Sequence, residues 1–125
     1  MLPLLIYIGV IMGCYGELAI VLSPEANKQF NKFISTNTKE EIRQLFKYDI
    51  YTRENKETGS KLYKWSFINH HIIDDIIDFL ETLNTDLYYY IYVIDEYNEV
   101  KENGSYSSDE LIVYPVTYIH IEGEE

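Results

Sequence analysis

Basic residues are nearly missing from the second half of this chain. Its 125 residues include ten Lys or Arg against 21 Asp or Glu, a formal net charge of −11. From Asp74 onward fourteen acids face a single base, Lys101, whereas the segment before it holds seven acids and nine bases. With no extended basic patch, direct nucleic-acid binding is disfavoured. Cysteine is equally scarce. Cys14 stands alone, which excludes an internal disulfide and fits a reducing compartment. There is no low-complexity stretch, linker or fixed-period repeat, and the length suits one domain rather than two.

Catalytic and metal signatures are missing as well. His70 and His71 are adjacent, so at the start of a helix they point in different directions and cannot easily share an ion. No Cys-x-x-Cys or His-x-x-x-His spacing accompanies them, and His120 lies far away next to an acidic tail. The acidic segment from Asp95 has no glycine where a calcium loop needs one, which excludes an EF-hand. The expectation is a protein without catalytic residues, metal or cofactor, and not an enzyme.

What remains is a well-furnished core. Hydrophobic residues make up 46% and aromatics 15%, including thirteen tyrosines, so the chain folds rather than staying disordered. The stretch from Trp65 to Gly104 organises it. Ile72, Ile73, Ile76, Ile77, Leu80 and Leu83 recur at helical spacing, with Asn69 as the N-cap, and form a stripe that should face a sheet. Asp74, Asp78 and Glu81 fall on the opposite face with Asp75 beside them. Asn84-Thr85-Asp86 ends this helix, and Leu87 to Ile94 is apolar or aromatic throughout, as in a central strand covered on both faces. Asp95, Glu96, Glu99 and Glu102 then crowd a turn that Asn103-Gly104 closes.

The preceding segments read as packing for that unit. Residues 17–22 form a strand that stops at Ser23-Pro24-Glu25, a helix start with serine as cap and proline in the first turn. The helix presents Ala26, Phe30, Phe33 and Ile34 on one side. Thr38 and Glu41 suggest a capping box for a second short helix bearing Ile42, Leu45 and Phe46. Residues 48–53 and 61–67 form a hairpin with Gly59 in its turn, and Tyr63, Trp65 and Phe67 should share the core face. One core is expected to gather Trp65, Phe67, Leu87, Ile91, Ile76 and Leu80. Beyond the polar loop at Ser105–Ser108, Leu111 to Ile121 alternates as a last strand, at an edge or bulged because of Pro115. The fold class is therefore α+β, an antiparallel or mixed sheet of four to five strands with helices packed on one face.

Residues 1–14, MLPLLIYIGVIMGC, are apolar, too short to span a bilayer and without the positive region of a secretory signal. Three readings stay open. Met12 is the true start and 1–11 lie upstream of it, or the segment is a packed apolar N-terminus; last comes a lipoprotein modified at Cys14. The expected domain is 12–125, with 1–11 dispensable for folding.

The segments GELAIVLSPEA, KLYKWSF, DFLETL and YYYIYVIDEYNEVKENGSY together resemble a group of small acidic proteins of phages and prophages, over residues 16–106. Tyr92 and Ile94 stand where that pattern has Arg and Gly, and Asp95 where it has Glu. The resemblance implies a mobile-element origin, a cytoplasmic setting in the host cell, and a start just ahead of the Glu17-Leu18-Ala19-Ile20 strand. No residue of the pattern carries known chemistry.

Charge placement then suggests the function. The expected binding residues are Asp74, Asp75, Asp78, Glu81, Asp95, Glu96, Glu99 and Glu102, an acidic face that meets a basic surface of a host protein. Carboxylates about 5–6 Å apart on a helix are on the scale of phosphate spacing, so mimicry of nucleic acid against a nuclease or defence system is a concrete version. The alternative is a homo-oligomeric structural or accessory protein with a tyrosine-rich sheet edge as its interface. No membrane partner is expected.

Overall fold

The computed structural model describes residues 15–94, 99–108, 113–115 and 119–121, with the backbone alone described at Glu99 and in the last two segments. The apolar leader with Cys14, and Asp95 and Glu96, lie outside the described residues.

The fold is α+β. Strand β1 (Tyr15–Leu22) leads directly into helix α1 (Pro24–Ser35). Ser23 Oγ accepts the Ala26 N–H at 3.1 Å and Pro24 sits where its missing N–H is harmless. Helix α2 (Glu40–Arg43) is a single turn, and its start differs from the expected Thr38–Glu41 box. Asn37 Oδ1 accepts the Lys39 N–H at 2.9 Å and turns the chain first, so Lys39 becomes the cap residue and makes no side-chain cap bond. A 3-10 turn at Leu45–Lys47 follows, and the Leu45 carbonyl accepts Trp65 Nε1–H at 3.0 Å. Strands β2 (Ile50–Asn55) and β3 (Ser60–Asn69) form the hairpin, with Gly59 at φ +81° in its turn. Helix α3 (His70–Leu80) is capped by Asn69 Oδ1, which accepts the His71 N–H at 2.8 Å. A 3-10 turn at Thr85–Leu87 leads into β4 (Tyr88–Ile94), followed by β5 (Glu99–Gly104).

These five strands form one antiparallel sheet in the order β2-β3-β1-β4-β5. The centre is therefore β1, not the tyrosine strand. One face packs against the helices. Leu18, Ile20 and Leu22 of β1, Trp65 of β3 and Tyr88, Tyr90 and Tyr92 of β4 meet Phe30 of α1 and Ile73, Ile76 and Leu80 of α3. Leu87 is only partly buried against this core. The other face is buried too. Ala19, Val21, Leu62, Ile91 and Val93 lie there, so Ile91 belongs to the face opposite the one expected for it. Parity explains this: Ile91 is one residue from Tyr90, and neighbours on a strand point to opposite faces.

Two further strands lie on that second side. The segment read as one strand from Leu111 to Ile121 contains β6 (Val113–Pro115) and β7 (Ile119–Ile121), paired antiparallel with each other as a separate two-stranded sheet. Strand β7 lies against β1 and β4. The loop after β5 crosses the same side. Tyr106 packs on Val21 and Leu62, its hydroxyl bonds Ser60 Oγ, and Asn55 Nδ2 donates to Ser108 Oγ at 3.0 Å.

Phe67 is the clearest departure. It is 71% exposed, although it alternates in sequence with the buried Tyr63 and Trp65. Between the pairs Leu18–Trp65 and Gly16–Ile68, one residue of β1 is matched by two of β3, Ser66 and Phe67. That bulge flips the parity of everything beyond it, so Ile68 enters the core and Phe67 turns out.

Candidate functional site

Helix α3 owes its position to two demands. Its isoleucine stripe must be buried on the sheet, and its start is fixed by the Asn69 cap. The polar residues between the isoleucines then face outward whatever their purpose. Asp74 and Asp78 are exposed, Asp75 is half-buried, and Glu81 follows as the C-cap residue.

Their surroundings differ. Asp74 Oδ2 lies 3.2 Å from Nε2 of His70, one helical turn earlier. Asp75 Oδ2 receives Lys39 Nζ at 2.8 Å from the start of α2. That hydrogen bond, and the charge behind it, raise the Lys39 ammonium above its ordinary value. Asp78 makes no ion pair or hydrogen bond among the described residues. It lines a shallow depression of about 340 Å³ with Asp75, Lys39, Asn37, Phe33 and Phe79. The two phenylalanine rings stack there at 4.5 Å. Glu81 turns back toward the sheet, where Oε2 accepts the Tyr90 hydroxyl at 2.6 Å and Asn103 Nδ2 at 3.4 Å.

The four acids expected in the closing turn do not join this group as a unit. Glu99 and Glu102 lie on the edge strand β5, not in a turn. Glu102 stands opposite Ile91, so it faces away from α3, and its Oε1 accepts the Tyr89 hydroxyl at 2.8 Å. Burial first, then this carboxylate, push the Tyr89 hydroxyl well above the usual tyrosine range; burial and Glu81 do the same to Tyr90. Glu99 stands opposite Ile94 in the ladder, with only its backbone described. Asp95 and Glu96 fall outside the described residues. The structure thus gathers Asp74, Asp75 and Asp78 on one surface, with Glu81 at its end, and separates Glu102 from them by the thickness of the sheet.

Sequence reading missed Lys39, Asn37 and Phe79 at this surface. Lys39 lies 36 residues from Asp75, and no periodic signal links a loop to a helix across that distance. The tyrosine strand lies inside the sheet and is covered on both faces, as its sequence suggests. Strand β4 is hydrogen-bonded on both sides, by β1 and β5, and Tyr88, Tyr90 and Tyr92 are buried.

Among the described residues no group of three or more His, Cys, Asp or Glu side chains is placed to hold a metal ion. Neither His70 nor His71 hydrogen-bonds a serine, threonine or cysteine among those residues. No helix among the described residues is long and apolar enough to cross a membrane. Comparison with protein-family models, with curated proteins and with solved structures finds no match.

Proposed function

We propose that this chain is a non-enzymatic binding protein that occupies a basic site on another protein with the outer face of α3. The observation that carries this reading is the state of Asp78. It is an exposed carboxylate without a cation among the described residues, one turn from Asp74 and beside Asp75, on a chain of net charge −11. Like charges at helical spacing repel one another, and of the three aspartates only Asp75 has a lysine partner among the described residues, so a cation from outside the chain would relieve the face at Asp78. Phe33 and Phe79 add an apolar floor beside the carboxylates. Apolar contact next to charge is how a partner gains affinity as well as attraction.

The wider setting belongs to the same proposal. The resemblance to small acidic phage and prophage proteins supports a mobile-element origin and a cytoplasmic host partner. Carboxylates at about 5–6 Å spacing support mimicry of a phosphate backbone, with a nuclease or defence complex as the target. The alternative is a homo-oligomer with a tyrosine-rich sheet edge as its interface, an edge that β4 does not supply because it is interior.

The test is affinity purification from host cells with the native chain and with the D74N/D78N variant, followed by reconstitution of any captured protein from pure components. The expected result is capture that weakens with salt, weakens further in the variant and yields to competing duplex DNA. A variant that binds as the native chain does would overturn the reading. Competition failure alone would remove the nucleic-acid mimicry and leave the acidic face.

A further inference from the structure

A second surface lies at the other end of α3, where the bulge turns Phe67 outward. Strand β2 begins at Ile50, opposite Trp65, so among the described residues Ser66–Asn69 of β3 have a strand neighbour on the β1 side only. At this open edge the Phe67 and Tyr15 rings stack almost parallel, 4.3 Å apart and 3° from coplanar. They line a groove of about 430 Å³ with Tyr48, Ile72 and Glu41. That volume is at the lower end of the about 300–1,000 Å³ typical of ligand sites. Phe67 is mostly exposed, and a bulge is a device that re-aims a side chain.

Among the described residues lining the groove Glu41 is the one carboxylate, and the His71 side chain lines it as well. The two basic neighbours of Glu41 are engaged elsewhere: Lys39 bonds Asp75, and Arg43 donates to the Asn37 carbonyl at 2.8 Å. Glu41 itself forms no ion pair among the described residues. The Tyr48 hydroxyl lies 3.4 Å from the Glu41 carbonyl, and burial together with the charge of Glu41 raises its pKa, which places ring and carboxylate in one electrostatic environment. The positive end of α3 points to the same side, but its His71 N–H is already taken by Asn69.

We propose that this groove receives an arginine side chain of the basic partner protein. Parallel aromatic rings beside an unpaired carboxylate match a guanidinium in both respects. The planar cation stacks on a ring face, and its fork of N–H donors reaches the carboxylate. A lysine ammonium has no plane to stack, an anion is repelled by Glu41, and a neutral planar group makes no use of it. The polypeptide source follows from continuity, since Asp74 begins the acidic track one turn beyond His70 on the same helix. In that respect the inference rests on the proposed function, with the arginine as the anchor and the α3 carboxylates as the attracting surface.

The experiment is an NMR titration of the purified full chain, carrying labelled tyrosine and phenylalanine rings. The probes are a short peptide with one arginine and the same peptide with citrulline, its uncharged planar isostere. The expected result is movement of the Tyr15, Tyr48 and Phe67 ring signals with the arginine peptide and much less with citrulline. Phe67→Ala and Glu41→Gln should each weaken the effect by about threefold or more, the lower end of a cation–π contact. Both residues are exposed, so neither change should disturb the fold. The D74N/D78N variant should keep the ring shifts, so a loss of partner capture there reports on the acidic face and not on the groove. Equal response to both peptides, or shifts that persist in the Phe67 variant, would overturn the proposal. So would ring signals that move with protein concentration alone, which would make the groove an interface between copies. Signals that respond only after deletion of residues 1–11 would assign it to the chain's own leader, and overturn the proposal equally.

Discussion

The Tyr90 hydroxyl donates to Glu81 Oε2 at 2.6 Å, joining an interior strand to the residue that caps α3. Asn103 of the edge strand reaches the same oxygen at 3.4 Å. A carboxylate that sequence assigns to a binding face is therefore also a brace between helix and sheet. Asp74 and Asp78 have no such tie to the sheet among the described residues, and this difference separates the roles of four acids that look alike in sequence.

Tyr90→Phe should destabilise the protein by about 1.5 kcal/mol, the lower end for a hydrogen bond to a charged group, because Glu81 stays exposed to water. The alkaline limb of stability follows from the same pair. Folding raises the hydroxyl pKa of Tyr90, and of Tyr89, Tyr63 and Tyr88 with it, so above the ordinary tyrosine value of 10.0 the folded state holds protons that the unfolded chain has released. Their contribution is complete below about pH 10 and is lost as pH rises toward the folded values. Denaturant melts across that range should show falling stability, with a shallower fall in Tyr90→Phe. A native protein equally stable on both sides of that window would contradict the assignment.

Leu80→Ala should cost about 2–5 kcal/mol, since the side chain is fully buried under α3. Ile91→Ala should fall in the same range although it lies on the opposite face, because that face is also sealed. Chemical denaturation of the two variants separates the alternatives. A negligible effect at Ile91 would mean that the second face is open to water.

Most local signals were legible in the sequence and relational ones were not; the exception is the Thr38–Glu41 box, which the turn at Asn37 displaces. Ser23 and Asn69 cap their helices as read, because a cap involves residues only two or three apart. The Gly59 turn, the isoleucine stripe and the tyrosine strand held for the same reason. Phe67 was misread because its direction depends on an extra residue measured against β1, some fifty positions away. Glu102 was misplaced because strand and turn differ there only by pairing with β4. One alternating strand and two short paired ones have the same pattern, so Leu111 to Ile121 gave no sign of its fold-back beyond Pro115.

The bulge itself can be tested. Phe67→Ala should change stability by about 1 kcal/mol or less, because the ring is mostly exposed and loses only its stack on Tyr15. Deletion of Ser66 leaves Phe67 as the single residue opposite Glu17, so the ladder becomes regular with Phe67 still outward and Ile68 still in the core. The deletion should therefore be tolerated, since Ser66 itself is exposed. A loss of about 2–5 kcal/mol, the size of a core truncation, would instead mean that the fold needs the bulge itself.

The acids of α3 should divide by their partners. Asp78→Asn should leave the melting temperature unchanged or raise it, since it removes a charge from a crowded face without breaking a bond among the described residues. Asp75→Asn should lower it slightly, because Lys39 loses its partner, though an exposed pair contributes little. Added salt should raise the melting temperature of the native chain by screening its net charge of −11, and raise that of D74N/D78N less. The decisive comparison sets stability beside binding. Removing two charges leaves stability unchanged or raised whether the face serves solubility or binding, and only a binding face loses its partner as well. A D74N/D78N protein that melts higher and no longer captures its partner would therefore identify these carboxylates as functional, while one that melts lower and still binds would assign them to the fold.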